Sequence, residues 1–124
     1  MNRTCVIAAM ATVLLLSGCA SRGNRLYDWG GYDDLLYQQY KDPSKAPEMR
    51  AKLEAHVATL ESSKQRVPPG VYAELGTLHL QANDRAKAID FYHREQDAWP
   101  ESAGLMKAMI ASLERRGPSD EVAK

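Results

Sequence analysis

Residues 69–102 carry the clearest fold signal in this chain and read PGVYAELGTLHLQANDRAKAIDFYHREQDAWPES. Tyr72, Leu75 and His79 follow the i, i+3, i+7 spacing of one helical face, which predicts a helix. Asn83 suits the left-handed C-cap of that helix, and Asp84 is a favourable N-cap for the next one. The second helix is predicted to end before the proline near the close of the stretch. We therefore expect two successive helices joined by a very short turn.

The same stretch resembles one tetratricopeptide repeat, a helical pair of about 34 residues with a fixed pattern of small and aromatic positions. The residues that match this pattern, and that we predict to pack between the helices, are Tyr72, Leu75, Gly76, His79, Ala88, Tyr92 and Pro100. The resemblance implies antiparallel helices in which Gly76 faces Ala88. Glu95 departs from the pattern, because a small alanine is usual at its position.

Three more helices are predicted on either side of this stretch. The first presents an inner face made of Tyr32, Leu35, Leu36 and Tyr40. The second begins near Pro47 and carries the stripe Met49, Leu53, Val57 and Leu60. The last runs from about residue 101 to 116. Adding one repeat length to the apolar positions of the first helix in the 69–102 stretch gives Met106, Met109, Ile110 and Leu113, which are all apolar. We expect an all-α fold of about five helices, arranged as antiparallel hairpins similar to tetratricopeptide repeats, with a C-terminal capping helix.

The N-terminus resembles a bacterial lipoprotein signal. Leu16-Ser17-Gly18-Cys19 follows an apolar run of eleven residues, Val6 to Leu16. That run is shorter than the roughly 20 residues that span a bilayer. We expect cleavage before Cys19 and acylation of its thiol, and Ala20 implies sorting to the outer membrane. The predicted organisation is a signal peptide at 1–18, an acylated cysteine and flexible tether at 19–26, a helical-repeat domain at 27–117 and a tail at 118–124.

Charge and cysteine content exclude several classes of function. After loss of residues 1–18, and of Arg3 with them, 15 basic and 16 acidic residues remain. This near-neutral balance gives no electrostatic reason to bind nucleic acid. Cys5 also leaves with the signal, so the mature chain has no free thiol for a disulfide. With no polybasic cluster in the sequence, attachment to the outer membrane is expected through the acyl chains alone.

Aromatic residues are concentrated beside the tether, where one helical face cannot bury all of them. Within fourteen positions lie Tyr27, Trp29, Tyr32, Tyr37 and Tyr40. One interpretation is that they cover the first repeat and the second helix. Another is a partner-binding patch led by Trp29 and Tyr37, since Tyr and Trp dominate interface anchors. A third is contact with lipid headgroups.

Candidate chemistry in the chain is sparse. His79 lies on a predicted inner helical face, where a packing histidine is favoured over a ligand. His93 and Asp97 are four residues apart, but no further metal ligands follow at a diagnostic spacing. No nucleophile accompanies a base, so neither an enzyme nor a cofactor is expected. A concave pocket lined by residues such as Tyr72, His79 and Tyr92 would instead indicate a protein that binds cell-wall material or a small ligand.

The order of aromatic and glycine motifs resembles one narrow family over nearly all of the mature domain. The motifs are Tyr27-x-Trp29-Gly30-Gly31-Tyr32, Leu36-Tyr37, residues 68–76 and Trp99-Pro100-Glu101-Ser102. The chain is similar to short bacterial lipoproteins of the domain of unknown function 4810. Members of that family are typically encoded beside a lipoprotein similar to the curli secretion channel and another small lipoprotein, so the resemblance implies a three-part envelope assembly. We expect a non-catalytic interaction module whose partner is another envelope lipoprotein, with the binding lipoprotein above as the alternative.

Overall fold

Residues 25–115 are described by a computed structural model, and within them the chain is all-helical with no strand. The predicted signal at 1–18, the acylation site and the tail at 118–124 lie outside the described residues, as do residues 19–24 and 116–117. Five α-helices follow one another: α1 Tyr32–Lys41, α2 Ala46–Ser62, α3 Val71–Gln81, α4 Arg85–Ala98 and α5 Ala103–Arg115. Short 3-10 turns at Pro43–Lys45 and Pro100–Ser102 precede α2 and α5. The all-α prediction is confirmed for these residues.

The turn between α3 and α4 has the predicted end signals. Asn83 has φ 59°, the left-handed conformation that ends a helix. The Asp84 carboxylate then accepts a hydrogen bond from the Lys87 backbone N–H at 3.2 Å and caps α4. The predicted start of α5 differs slightly, because Pro100 first forms a 3-10 turn and the α-helix begins at Ala103.

Two apolar clusters hold the helices together. The first lies among α2, α3 and Phe91 of α4, and its members are Met49, Leu53, Val57, Leu60, Val67, Val71, Tyr72, Leu75, Leu78 and Phe91. The second joins α4 to α5 through Ala88, Tyr92, Met106, Ile110 and Leu113. The predicted stripe of α2 is confirmed, since all four of its members are buried.

The predicted inner face of α1 is only half right. Tyr32 and Leu35 pack against the first cluster, but neither is fully buried. Leu36 and Tyr40 are exposed, contrary to the prediction. The helix is turned so that Gln39, rather than Tyr40, continues the inner row. Consequently α1 lies on the domain as its least buried helix and shows an apolar side to solvent.

The close approach of α3 and α4 occurs at Gly76, and its partner differs from the one predicted. A Cβ at Gly76 would come within 3.0 Å of ring carbons of Tyr92, so the tyrosine ring occupies the space that the glycine leaves. Tyr92 is fully buried and its hydroxyl lies 3.2 Å from that of Thr77. Ala88 is buried in the second cluster instead of being the nearest side chain to Gly76. Gly76 is therefore required for the Tyr92 ring to occupy this position.

Glu95 fills the position where the repeat pattern has alanine. Its side chain is fully buried, and Oε1 accepts hydrogen bonds from the Gly70 N–H at 2.8 Å and the Ser102 hydroxyl at 3.2 Å. These bonds tie the start of α3 and the turn before α5 to the last part of α4. A buried carboxylate is costly unless it is hydrogen-bonded, and the backbone N–H at the helix start supplies a suitable donor.

Candidate partner-binding surface

One side of α1 combines an acidic residue with three large exposed side chains. Asp33, Leu36, Tyr37 and Tyr40 follow the i, i+3, i+4, i+7 spacing of a single helical face, here called the α1 surface. Leu36 is 42% exposed, Tyr37 58% and Tyr40 85%. Within the described residues this is a concentration of exposed apolar area on ten residues of helix. Such groupings mark interaction sites more often than isolated exposed hydrophobic residues do.

The segment before α1 fixes where this surface points. His56 of α2 donates from Nε2 to the Asp28 carbonyl oxygen at 2.9 Å. The ring of Tyr27 meets the ring of Trp99 edge to face, with centroids 5.6 Å apart. Gly30 has φ +55°, and a Cβ there would overlap the His56 ring, so only glycine fits between these contacts. The start of α1 is thus held against α2 and the end of α4.

A shallow groove of about 370 Å³ runs between α1 and α3 beside the α1 surface. Its lining, called the α1–α3 groove from here on, consists of Leu36, Gln39, Tyr40, Pro43 and Glu74. Leucine, proline and the tyrosine ring make most of the wall apolar. Glu74 is the one ionisable carboxylate in this lining, and it projects from the first turn of α3.

The carboxylate of Glu74 lies in an unfavourable environment for a charge. Burial raises the pKa of Glu74 above its usual value. Burial also raises the pKa of the neighbouring Tyr32, with the charge of Glu74 as the second cause. Within residues 25–115 no Lys, Arg or His nitrogen lies within 4.0 Å of the Glu74 carboxylate. The groove therefore offers an incompletely compensated negative charge among apolar side chains.

The structure separates the two aromatic residues that were predicted to bind a partner. Trp29 is half-buried, packs against the first apolar cluster and contacts the Tyr32 ring at a centroid distance of 6.2 Å. Tyr37 is exposed, and its ring has only the Lys41 ammonium above it, at 5.0 Å. Trp29 thus contributes to the packing of the domain, whereas Tyr37 is available on the surface.

The seven residues predicted to pack the repeat are found in different settings. Six are buried, namely Tyr72, Leu75, Gly76, His79, Ala88 and Tyr92, and Pro100 is exposed. Tyr72 donates its hydroxyl proton to Glu61 at 2.6 Å, and Arg94 lies over the Tyr72 ring with its guanidinium on the same carboxylate. Burial, followed by the bond to Glu61, raises the pKa of Tyr72 to about 12. This network ties α2, α3 and α4 together.

The pocket expected from Tyr72, His79 and Tyr92 is not one site. His79 lines a polar cavity of about 230 Å³, called the His79 cavity, together with Arg50, Glu54, Ala82, Asp84 and Lys87. Tyr92 lines a separate groove of about 160 Å³ beside α5. Tyr72 lines neither of them, and its hydroxyl donates to Glu61.

Strong polar contacts hold the imidazole of the His79 cavity. His79 Nε2 lies 2.5 Å from Glu54 Oε1, and Nδ1 lies 3.6 Å from Asp84 Oδ2. Its ring also stacks on Phe91 at 5.3 Å between centroids. Among residues 25–115 no group of three His, Cys, Asp or Glu side chains is placed to hold a metal ion. The arrangement chiefly connects α2 to the α3–α4 turn.

The family of the chain follows from a family model, Domain of unknown function (DUF4810), that matches residues 26–109. The chain belongs to the DUF4810 family. No curated protein and no solved structure matches it. The matched region extends from the segment before α1 into α5, so it contains the α1 surface, the α1–α3 groove and the His79 cavity.

In this DUF4810 domain, sequence reasoning found Tyr37 but missed the groove beside it. Gln39 and Glu74 are 35 positions apart, and only the tertiary fold brings them into the lining of one groove. Leu36 and Tyr40 were assigned to the interior, since their spacing also fits an inner face. The available signal was the excess of large side chains on α1, more than one buried face can accommodate. Within the described residues no helix is long and apolar enough to cross a membrane.

Proposed function

We propose that this protein is a lipid-anchored outer-membrane lipoprotein that faces the periplasm and acts as a non-catalytic interaction module in an envelope assembly. The lipobox-like sequence Leu16–Cys19 and the following Ala20 support the anchor and its membrane. Acylation at Cys19 supplies the attachment to the outer membrane. The partner is another envelope lipoprotein, and a lipoprotein similar to the curli secretion channel is the first candidate.

The observation that carries the proposal is the exposed α1 surface. Tyrosine is enriched among the residues that dominate binding energy, because its ring buries a large area while its hydroxyl keeps a polar partner. Tyr37 and Tyr40 lie one turn apart on a helix whose start is fixed by the Tyr27 and His56 contacts. A surface that is already ordered loses little conformational entropy when a partner binds.

The helices are proposed to form a short repeat array similar to tetratricopeptide repeats. Contacts between α3 and α4 pair Gly70 with Glu95, Thr77 with Tyr92 and His79 with Asp84. In these pairs the residue number on the α3 side increases while the residue number on the α4 side decreases, as in an antiparallel hairpin. α5 packs on the second cluster, where the first helix of a following repeat would lie, and so acts as the cap.

A crosslinking experiment on the full chain in intact cells tests the interaction module. A photoreactive benzoyl-phenylalanine replaces Tyr37, and the matched control carries it at His93, an exposed residue of α4. We expect a discrete protein adduct from position 37 and none from position 93. Equal adducts from both positions, or none from either, would contradict the proposal.

The anchor is tested separately by metabolic labelling with a palmitate analogue and by membrane fractionation. The wild-type chain is expected to be labelled and to fractionate with the outer membrane. Replacement of Cys19 by Ser should remove the label, because serine has no thiol to acylate. A Cys19→Ser chain that still labels, or a wild-type chain confined to the inner membrane, would contradict the anchor.

A second candidate function is binding of cell-wall fragments or another small ligand in the His79 cavity. The observation that favours it is Arg50, which lines the cavity and has no carboxylate within 4.0 Å among the described residues. An anionic group of a ligand would pair with this guanidinium. Calorimetric titration with soluble peptidoglycan fragments tests the idea: heat of binding that disappears in Arg50→Ala supports it, and no binding by the wild type refutes it.

A further inference from the structure

We infer that the α1–α3 groove binds an apolar segment of a partner protein through a lysine or arginine of that segment, which pairs with Glu74. The inference rests on the proposed function and names the chemistry of the partner. It follows from three features: the apolar side chains of the groove, its one carboxylate and the acidic residues in the first turn of α1.

The apolar side chains of the groove and the carboxylate of Glu74 favour different parts of the same ligand. Leu36, Pro43 and the ring of Tyr40 offer apolar contact over the about 370 Å³ of open space. Such contact is favourable because it removes apolar area from water. An occupant that is apolar throughout would further desolvate Glu74 and leave its charge unpaired, which is costly. An occupant that brings a cation removes this penalty.

The charge around the groove decides which kind of occupant fits. Asp33 and Asp34 are exposed in the first turn of α1, and Glu74 lies at the groove floor. Among the residues of α1 and the groove lining, Lys41, in the last turn of α1, is the one cation. Acidic side chains therefore exceed basic ones by three to one, and a basic partner is complementary to this surface.

The same charge disfavours two other occupants of the groove. A second copy of this chain, related by a two-fold axis, would present the same excess of acidic over basic side chains. Two surfaces that share one sign of charge are not complementary. An anionic lipid surface would be repelled for the same reason, since membrane surfaces attract basic rather than acidic segments. The remaining occupant is a basic segment of another protein, which complements both the apolar side chains of the groove and the carboxylate of Glu74.

The test uses the full-length chain in intact cells with benzoyl-phenylalanine at Tyr40, and tandem mass spectrometry identifies the crosslinked peptide. Each adduct is compared in three backgrounds: wild type, Glu74→Gln and Glu74→Lys. Glu114→Lys is the matched control, because it makes the same change of charge at an exposed residue of another helix, α5. Thermal melts of each variant establish that it folds, and Glu74→Gln nearly preserves the side-chain shape should the lysine variant unfold.

The expected adduct is a peptide of another protein that contains a lysine or arginine among apolar residues. Its yield should fall at least about tenfold in Glu74→Lys and less in Glu74→Gln, and it should be unchanged in Glu114→Lys. Changing the identified partner cation to glutamate should restore the yield with Glu74→Lys.

Four results would overturn the inference. An adduct with a second copy of this chain would identify the groove as a self-association site, and an adduct with lipid would identify a membrane contact. A protein adduct that is insensitive to Glu74→Lys would remove the role of the carboxylate and leave the proposed function standing. The absence of any protein adduct from both Tyr37 and Tyr40 would overturn the proposed function together with the inference.

Discussion

The contact between Gly76 and Tyr92 gives the sharpest test of the packing. Alanine is a better helix former than glycine by about 1 kcal/mol, so Gly76→Ala would stabilise an unobstructed helix. Here the new Cβ would lie within 3.0 Å of ring carbons of a fully buried tyrosine. Overpacking of a filled core costs about 1–3 kcal/mol, which exceeds the helix gain at most of that range. The difference is a net loss of up to about 2 kcal/mol.

Urea and thermal unfolding of the chain from residue 24 onward measure this change. A loss of 1 kcal/mol corresponds to a fall of about 4–8 °C in the midpoint for a domain of this size. Gly104→Ala is the matched control, because Gly104 is also helical but its Cβ would meet no atom within 4 Å. That variant should gain about 0.5 kcal/mol. If Gly76→Ala raises the midpoint as Gly104→Ala does, the assignment of the Tyr92 ring to this space is refuted.

Two further predictions concern α1 and the groove. Trp29→Ala should lower the free energy of unfolding by about 1–3 kcal/mol, because the indole packs on the core. Tyr37→Ala should change it by less than about 0.5 kcal/mol, because this ring is exposed. Equal losses in denaturant titration would show that both rings belong to the core. Burial raises the pKa of Glu74 in the folded protein above its value of about 4.5 in the unfolded chain. The contribution of Glu74 to the free energy of unfolding is therefore fully present below pH 4.5 and is lost as the pH rises through the pKa of the folded protein. Glu74→Gln should therefore be more stable than wild type at pH 7 and nearly equal to it at pH 4, and a difference that does not depend on pH would contradict the assignment.

The interior of α2 was predictable from sequence, whereas the orientation of α1 was not. In α2 the large apolar residues form one stripe, and the remaining positions hold polar residues, alanines and one proline, so only one face can bury large side chains. In α1, large side chains occupy two neighbouring rows, one through Leu35 and one through Leu36. Periodicity alone cannot choose between adjacent rows. The choice depends on contacts of the preceding segment, such as Asp28 with His56, which join residues 28 positions apart.

Glu95 shows a second limit of pattern reasoning. Its mismatch with the repeat pattern was visible in the sequence, but the mismatch gave no information about what would compensate a buried carboxylate. The donors are a backbone N–H at Gly70, 25 positions earlier, and the hydroxyl of Ser102; both bind Oε1, while Oε2 has no partner among the described residues. A backbone donor leaves no trace in residue type, although Pro69-Gly70 before a helix indicates that free N–H groups lie there. The substitution therefore changes how the helices are tied together without changing the fold.

The position of α1 in the chain also restricts where its partner can be. If Cys19 carries the acyl chains, eight residue steps separate the membrane anchor from Tyr27, which at full extension is about 28 Å. Tyr27 is fixed against Trp99, and α1 begins five residues later with a length of about 15 Å. With the proposed acylation of Cys19, α1 would be the helix nearest in sequence to the bilayer, and the tether would keep it near the membrane. A partner of the α1–α3 groove would then also have to lie near the membrane, and an anchored lipoprotein would meet this requirement.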